Sequence, residues 1–160
     1  MPNPIKEALL GRGWAGKTLS RTETVEHLNP LTEQHIELNR YYDDAIQSCG
    51  DERVVGVLER LQKTARTDVG KLSETILSCG GTPPNGTDLE PEDFTLRGTF
   101  PDMLRRLHEL ETEFNDRLAD ELDLEHQMRT RGLLEAVKSN STDRLDALSA
   151  LLRRAEELEA

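Results

Sequence analysis

This chain of 160 residues is poor in aromatic side chains, in cysteine and in long apolar runs. No apolar run approaches the length of a membrane span or of a signal-peptide core, which excludes a membrane-spanning helix on sequence grounds. The first residues, Met1-Pro-Asn-Pro-Ile-Lys6, also lack the basic-then-apolar order of a secretion signal. The sequence therefore predicts a cytoplasmic protein.

The chain also has fewer basic than acidic residues. Lys and Arg number 20 against 31 Asp and Glu, and the formal net charge is -11. A nucleic-acid groove or an anionic membrane surface needs clustered positive charge, and the basic residues here are interspersed with acidic ones. We therefore expect neither nucleic acid nor membrane as a partner of this acidic protein.

The two cysteines, Cys49 and Cys79, stand near the C-terminal ends of two consecutive predicted helices. If those helices are antiparallel, the cysteines lie toward opposite ends of the hairpin, beyond the reach of a disulfide. We expect free thiols.

What the chain does have is strong helical periodicity, interrupted at residues 80–98 by Gly80-Gly81, Pro83-Pro84 and Gly98. Each block on either side divides again at one short polar turn. The pattern predicts an all-α four-helix bundle made of two helical hairpins joined by a long crossover, the connectivity of ferritin-like bundles. The predicted helices cover about 30–49, 52–79, 100–138 and 142–158. The first starts at Asn29-Pro30, and a break of the third near Asp123 is the alternative to one long helix.

Residues 1–28 show little clean periodicity and are interpreted as an N-terminal arm that packs on the bundle or on a partner subunit, with residues 4–10 and 22–28 as candidates for short helices. Within the arm, Gly11-Arg-Gly-Trp-Ala-Gly-Lys-Thr18 matches the phosphate-binding pattern G-x-x-x-x-G-K-[ST]. That loop works between a buried β-strand and a helix, and Lys6-Glu-Ala-Leu-Leu10 does not have the composition of a buried strand. We therefore expect a Gly-rich loop without a nucleotide.

Three polar residues interrupt the apolar stripes of the first three helices: His35, Asp68 and Glu111. Their separations along a two-hairpin bundle bring them to a similar level. An ionised carboxylate is costly in a core unless it is paired or bound to a metal. The alternative to a paired or metal-bound cluster is that His35 is a hydrogen-bonded core histidine and that Asp68 and Glu111 rotate out to the edge of the seam.

With these features the chain resembles the ferritin-like superfamily, and within it a group of bacterial four-helix proteins, some of them stress-associated. The resemblance covers about residues 24–158 and rests on the architecture, the core-carboxylate spacing and the segment Leu77-Ser-Cys-Gly-Gly-Thr-Pro83. The iron-binding members use a carboxylate on each of two helices and a Glu-x-x-His pair on each of the others. The resemblance thus implies iron or manganese ligands at His35, Asp68 and Glu111, with Glu37 as a less inward alternative.

The departures from that ligand set favour a degenerate site without a cofactor. Lys71 stands where a histidine would follow Asp68, and the fourth helix offers Arg144 and no histidine. Because ammonium and guanidinium groups cannot ligate such cations, we expect Asp68 and Glu111 to be ion-paired with Lys71, Arg144 or another nearby base. His35 is expected to be hydrogen-bonded beside them.

The sequence therefore predicts a non-catalytic ferritin-like bundle that acts through assembly or through a protein partner. One alternative is a divergent carboxylate-bridged iron or manganese protein for storage or peroxide chemistry. Another is a protein-interaction or oligomerisation module. The pairs Glu125-His126 and His108-Glu109 lie in charge-rich stretches and are interpreted as solvated helix faces.

Overall fold

The computed structural model describes residues 18–159 as an all-α bundle of four helices, which confirms the predicted fold class at that level. No helix in this range is long and apolar enough to cross a membrane. The elements are α1 (Arg21–Ser48), α2 (Glu52–Ser78), a 3-10 turn (Pro91–Phe94), α3 (Phe100–Leu122) and α4 (Met128–Glu159).

Apolar stripes on the four helices meet in one core. Helix α1 packs against α2 and α3, and α4 packs against the same two helices from the other side. Each stripe repeats at alternating spacings of three and four residues, the period that keeps side chains on one helix face. The most buried members include Leu28, Leu58, Leu107, Phe114 and Leu148.

The segment between α2 and α3 runs along α1. At its start, Gly81 lies against Val25 so closely that an added Cβ would sit 2.6 Å from the Val25 Cγ1 atom. Near its end, the backbone N–H of Leu96 donates to the Asp44 carboxylate over 2.8 Å, and Phe94 meets Tyr41 edge to face. The segment thus returns the chain to the end of the bundle where α2 began, so that α2 and α3 run in the same direction.

Helix α1 starts nine residues earlier than the sequence predicts, and its predicted start at residue 30 is wrong. Ser20 accepts from the Glu23 N–H while the Glu23 carboxylate accepts from the Ser20 N–H, a capping box that begins the helix. Pro30 lies inside the helix on its exposed face. Buried Thr24 and Leu28 carry the stripe back to the cap, so residues 21–28 are bundle and not arm. The phosphate-loop match up to Lys17 lies outside the described residues.

The boundary between α3 and α4 is also corrected. The single predicted helix over 100–138 is wrong, because α3 ends at Leu122 and a short loop precedes Met128, close to the alternative break near Asp123. The predicted turn at residues 139–142 is wrong as well, since these residues lie inside α4. Their polar character has another reason: Ser141 is fully buried among polar side chains, and the Thr142 hydroxyl donates to the Lys138 carbonyl one turn back.

The two cysteines cap the C-terminal ends of α1 and α2, and both are free thiols, as predicted.

Candidate functional site: a buried charge network

Each of the four helices brings one polar residue to the same point of the core. The four are His35 on α1, Asp68 on α2, Glu111 on α3 and Arg144 on α4, and their exposed fractions are 0%, 0%, 0% and 1%. Each takes one place in its helix's stripe: Arg144, for example, lies between Val137 and Leu148, which are both fully buried. The stripe positions therefore hold these groups inside the bundle.

Arg144 joins the two carboxylates. Its Nε donates to Glu111 Oε1 over 2.6 Å, and its Nη1 donates to Asp68 Oδ2 over 3.0 Å. Nη2 reaches the second oxygen of Glu111 at 3.4 Å, and Nη1 also reaches the Thr64 hydroxyl at 3.3 Å. The planar guanidinium can form such parallel bonds because its donors point outward in a fixed fork.

Three neutral side chains also donate hydrogen bonds to the carboxylates of Glu111 and Asp68. Tyr42 donates its hydroxyl proton to Glu111 Oε1 over 2.7 Å, and Ser141 donates to Oε2 over 2.8 Å. Asn140 donates to Asp68 Oδ1 over 2.9 Å. Every carboxylate oxygen of the network therefore has a hydrogen-bond donor, which is the condition for keeping ionised carboxylates away from water.

His35 lies at the edge of this network. Its Nε2 is 3.5 Å from Arg144 Nη2 and 3.7 Å from Asp68 Oδ2. Its ring packs on Phe114 with a centroid distance of 4.0 Å. Nδ1 is buried and has no hydrogen-bond partner among the described residues.

Burial and charge shift the pKa values of the network in definite directions. Burial lowers the pKa of His35 and outweighs the opposing effect of Asp68, so the imidazole is neutral near neutral pH. Burial alone would raise the pKa of Asp68, but His35, Asn140 and Arg144 outweigh it and hold that pKa below its ordinary value. Burial, reinforced by Glu111, raises the pKa of Tyr42 well above 10.0, so the phenol stays protonated.

Four of the candidate residues from the sequence thus lie together, and two do not. Lys71 is exposed on α2, and no ion pair within residues 18–159 involves it. The expectation that it pairs with Asp68 is wrong, because Arg144 and Asn140 already satisfy that carboxylate. Glu37 is half-buried on α1, where burial and then Glu33 raise its pKa, and it makes no bond to the network.

Tyr42, Asn140 and Ser141 are network members that the sequence analysis did not identify. Tyr42 fits the apolar stripe of α1, and the stripe alone indicates no role for its hydroxyl. Asn140 and Ser141 fall in the predicted turn between the third and fourth helices, although Leu134, Val137, Ser141, Arg144 and Leu148 form one uninterrupted three-and-four series. That series was the available signal for a continuous helix with a polar centre.

A second polar cluster closes the end of the bundle near the start of α1. The two carboxylate oxygens of Glu121 meet His27 Nδ1 at 3.0 Å and His126 Nε2 at 2.7 Å. His126 is 3% exposed, so the expectation of a solvated helix face is wrong for this residue. His126 lies in the loop between α3 and α4. This loop also binds the residues that precede α1, because the N–H of Leu19 donates to the Glu125 carbonyl over 2.8 Å. This cluster joins α1, α3 and the α3–α4 loop.

Neither cluster forms a set of metal ligands. Over the part of the chain that the structure describes, no three His, Cys, Asp or Glu side chains are grouped so that they could hold a metal ion. In the central network, the guanidinium of Arg144 bonds to both Asp68 and Glu111, the two carboxylates that a shared cation would need. The residues present do not fit iron or manganese, since an arginine cannot act as a ligand.

Comparisons of the chain with protein families, curated proteins and solved structures gave no match.

Proposed function

We propose that this protein is a ferritin-like bundle in which an arginine-centred charge network replaces a metal centre, and that it acts through assembly or partner binding without redox chemistry. The crossover between parallel α2 and α3 supports the ferritin-like part of the proposal. The position of Arg144 between the two carboxylates supports the absence of a metal role.

The charge of the network is the physical basis. A carboxylate-bridged metal centre balances several carboxylates with two divalent cations, and it needs oxygen and imidazole ligands on all sides. Here one fixed cation is bonded to both buried carboxylates, and three neutral donors complete the hydrogen bonding of the carboxylate oxygens. A metal ion could enter only if Arg144 left the core, which would expose both carboxylates to an incoming cation.

Metal analysis tests this proposal directly. Protein purified without chelator, and protein equilibrated anaerobically with excess Fe²⁺ or Mn²⁺ and then desalted, should both contain far less than one ion per chain. Matched variants assign any metal that is found: Asp68→Asn and Glu111→Gln alter the network, whereas Glu59→Gln alters an exposed glutamate of α2. Stoichiometric metal that is lost in the first two variants and kept in the third would establish the iron or manganese protein instead.

The assembly part of the proposal needs a separate measurement. Sedimentation velocity over a wide range of protein concentrations should show a reversible shift from monomer to oligomer. A single monomeric species at every concentration would refute self-assembly and leave only a different protein as partner.

A further inference from the structure

An apolar cleft lies at the end of the bundle where α1 passes into α2, and it shares no residue with the charge network. Its volume is about 230 Å³. The α1–α2 turn, the start of α3 and the last turns of α4 form its walls. The apolar side chains that line it are Val54, Phe100, Leu104, Leu151, Ala155 and Leu158.

Two charged residues line the same cleft, and only one has a local partner. The Asp51 carboxylate accepts from the N–H groups of Arg53 and Val54 and thereby caps α2. Arg154 is exposed, and no ion pair or hydrogen bond joins its guanidinium to another side chain in the described part of the chain. The cleft therefore combines an apolar interior with a carboxylate that is engaged in capping α2 and a guanidinium that has no side-chain partner among the described residues.

From this combination we propose that the cleft binds a small organic anion, a carboxylate attached to an apolar chain or ring. A dry apolar cavity of about 150 Å³ accommodates one benzene ring. The space here is larger, so it takes an aromatic ring or a short acyl chain. The apolar part of the ligand gains by leaving water, and its carboxylate meets the Arg154 guanidinium in a charge-assisted bond at the mouth. No covalent step is involved.

The labelling rates of the two free cysteines can report whether the cleft is occupied. Cys49 lines the cleft, whereas Cys79 caps α2 at the opposite end of the bundle, and both are half-buried. Hexanoate is a suitable probe, with 1-hexanol and hexylamine as neutral and cationic probes of the same chain length. Saturating hexanoate should slow maleimide labelling of Cys49 several-fold and leave the rate at Cys79 unchanged. The alcohol should protect less than hexanoate at equal concentration, and the amine least.

Two pairs of variants separate the charge from the cavity. Arg154→Gln should raise the dissociation constant for hexanoate by up to about fivefold, which is the effect expected from the loss of one exposed ion pair. Arg153→Gln, an exposed neighbour, should leave it unchanged. Ala155→Phe should fill the cleft and abolish protection by hexanoate, and Ala150→Phe on the exposed part of α4 is its control. Circular dichroism of each variant checks that the bundle is folded.

The proposal is overturned by equal protection from all three probes, by equal effects of the two arginine variants, or by no protection of Cys49 at any hexanoate concentration. If Cys49 becomes protected without any probe as the protein concentration rises, a second copy of the chain occupies the cleft and the small-anion proposal is wrong. This outcome differs from a failure of the proposed function, which metal analysis and sedimentation test without hexanoate.

Discussion

At the scale of single residues, Arg144 holds the centre of this protein together. It is almost fully buried and bonds to a carboxylate on each of two other helices. Such a network need not stabilise the fold more than well-packed apolar residues would. Removing the base alone is different, because it leaves two carboxylates buried with no positive charge beside them.

Replacing Arg144 by Met should therefore lower the free energy of unfolding by roughly 3 to 5 kcal/mol, the cost of breaking a buried pair from one side. Urea denaturation followed by circular dichroism measures it. The control Arg153→Met changes an exposed arginine on the same helix and should cost less than about 0.5 kcal/mol. Lys71→Met should behave like this control, since Lys71 is exposed; a loss as large as that of Arg144→Met would contradict the network described here.

His35 should make the stability depend on pH. Its pKa is lowered in the folded state from the ordinary value of 6.5, so below that pH the unfolded chain binds a proton that the folded chain does not. This contribution to stability is complete above pH 6.5 and decreases as the pH falls toward the folded-state pKa, by up to about 1.4 kcal/mol per pH unit. Asp68, whose pKa is also lowered from its value of 3.8, adds a similar loss only at lower pH.

Urea unfolding between pH 7.5 and 5 measures the effect of His35. The variant His35→Gln should show a flatter pH dependence over this range, although it is less stable overall. His108→Gln, which removes a half-buried imidazole of α3 outside the charge network, is the comparison variant. An unchanged slope in His35→Gln would show that another group is responsible.

At the scale of helices, the decisive element is α4, which continues through the polar segment at residues 139–142. Its continuity places Asn140, Ser141 and Arg144 on the face that looks into the core. A turn at this point, as the sequence suggested, would rotate Arg144 away from Val137 and break the shared stripe. The geometry of the network thus depends on an uninterrupted α4.

Ser139→Pro distinguishes a helix from a turn at this position. Ser139 is exposed, so its side chain makes little difference, but proline removes a backbone donor and clashes with the preceding turn of a helix. We expect a loss of about 3 kcal/mol or more in the free energy of unfolding, and little change in Ser139→Ala. Normal stability of the proline variant would favour the turn.

At the scale of the whole molecule, residues 18–28 belong to the bundle. Leu19 is 1% exposed, Leu28 is fully buried, and the Leu19 backbone bonds to the α3–α4 loop. His27 adds a bond to Glu121 at the same end. The first turns of α1 therefore close one end of the core.

Two deletions test this boundary. A chain lacking residues 1–17 keeps every contact of the described structure and should retain the helical circular dichroism signal and cooperative unfolding. A chain lacking residues 1–28 also loses Leu19, Leu28 and the capping box, and it should unfold at a clearly lower urea concentration. Equal stability of the two deletions would place the start of the domain at residue 29 after all.

Local sequence patterns are enough to predict the all-α class, the approximate bounds of α2 and the polar interruptions at His35, Asp68 and Glu111. These follow from local rules: a helix period of 3.6 residues, glycine and proline as helix ends, and the cost of a charge on an apolar face. The sequence also suggests Arg144 as a partner, since a buried carboxylate needs a base and Arg144 stands near the stripe of its helix.

The packing of the helices against one another fixes which base pairs with these carboxylates and where α1, α3 and α4 begin or end. Lys71 and Arg144 are both within one helical turn of a stripe, and only packing shows that the first is exposed and the second buried. The same applies to residues 139–142, whose composition is typical of a turn in water and equally suited to a helix that faces a polar core. The same four residues could form a turn or part of a helix. They are helical here because the neighbouring helices supply Glu111 and Asp68, which bond to Ser141 and Asn140.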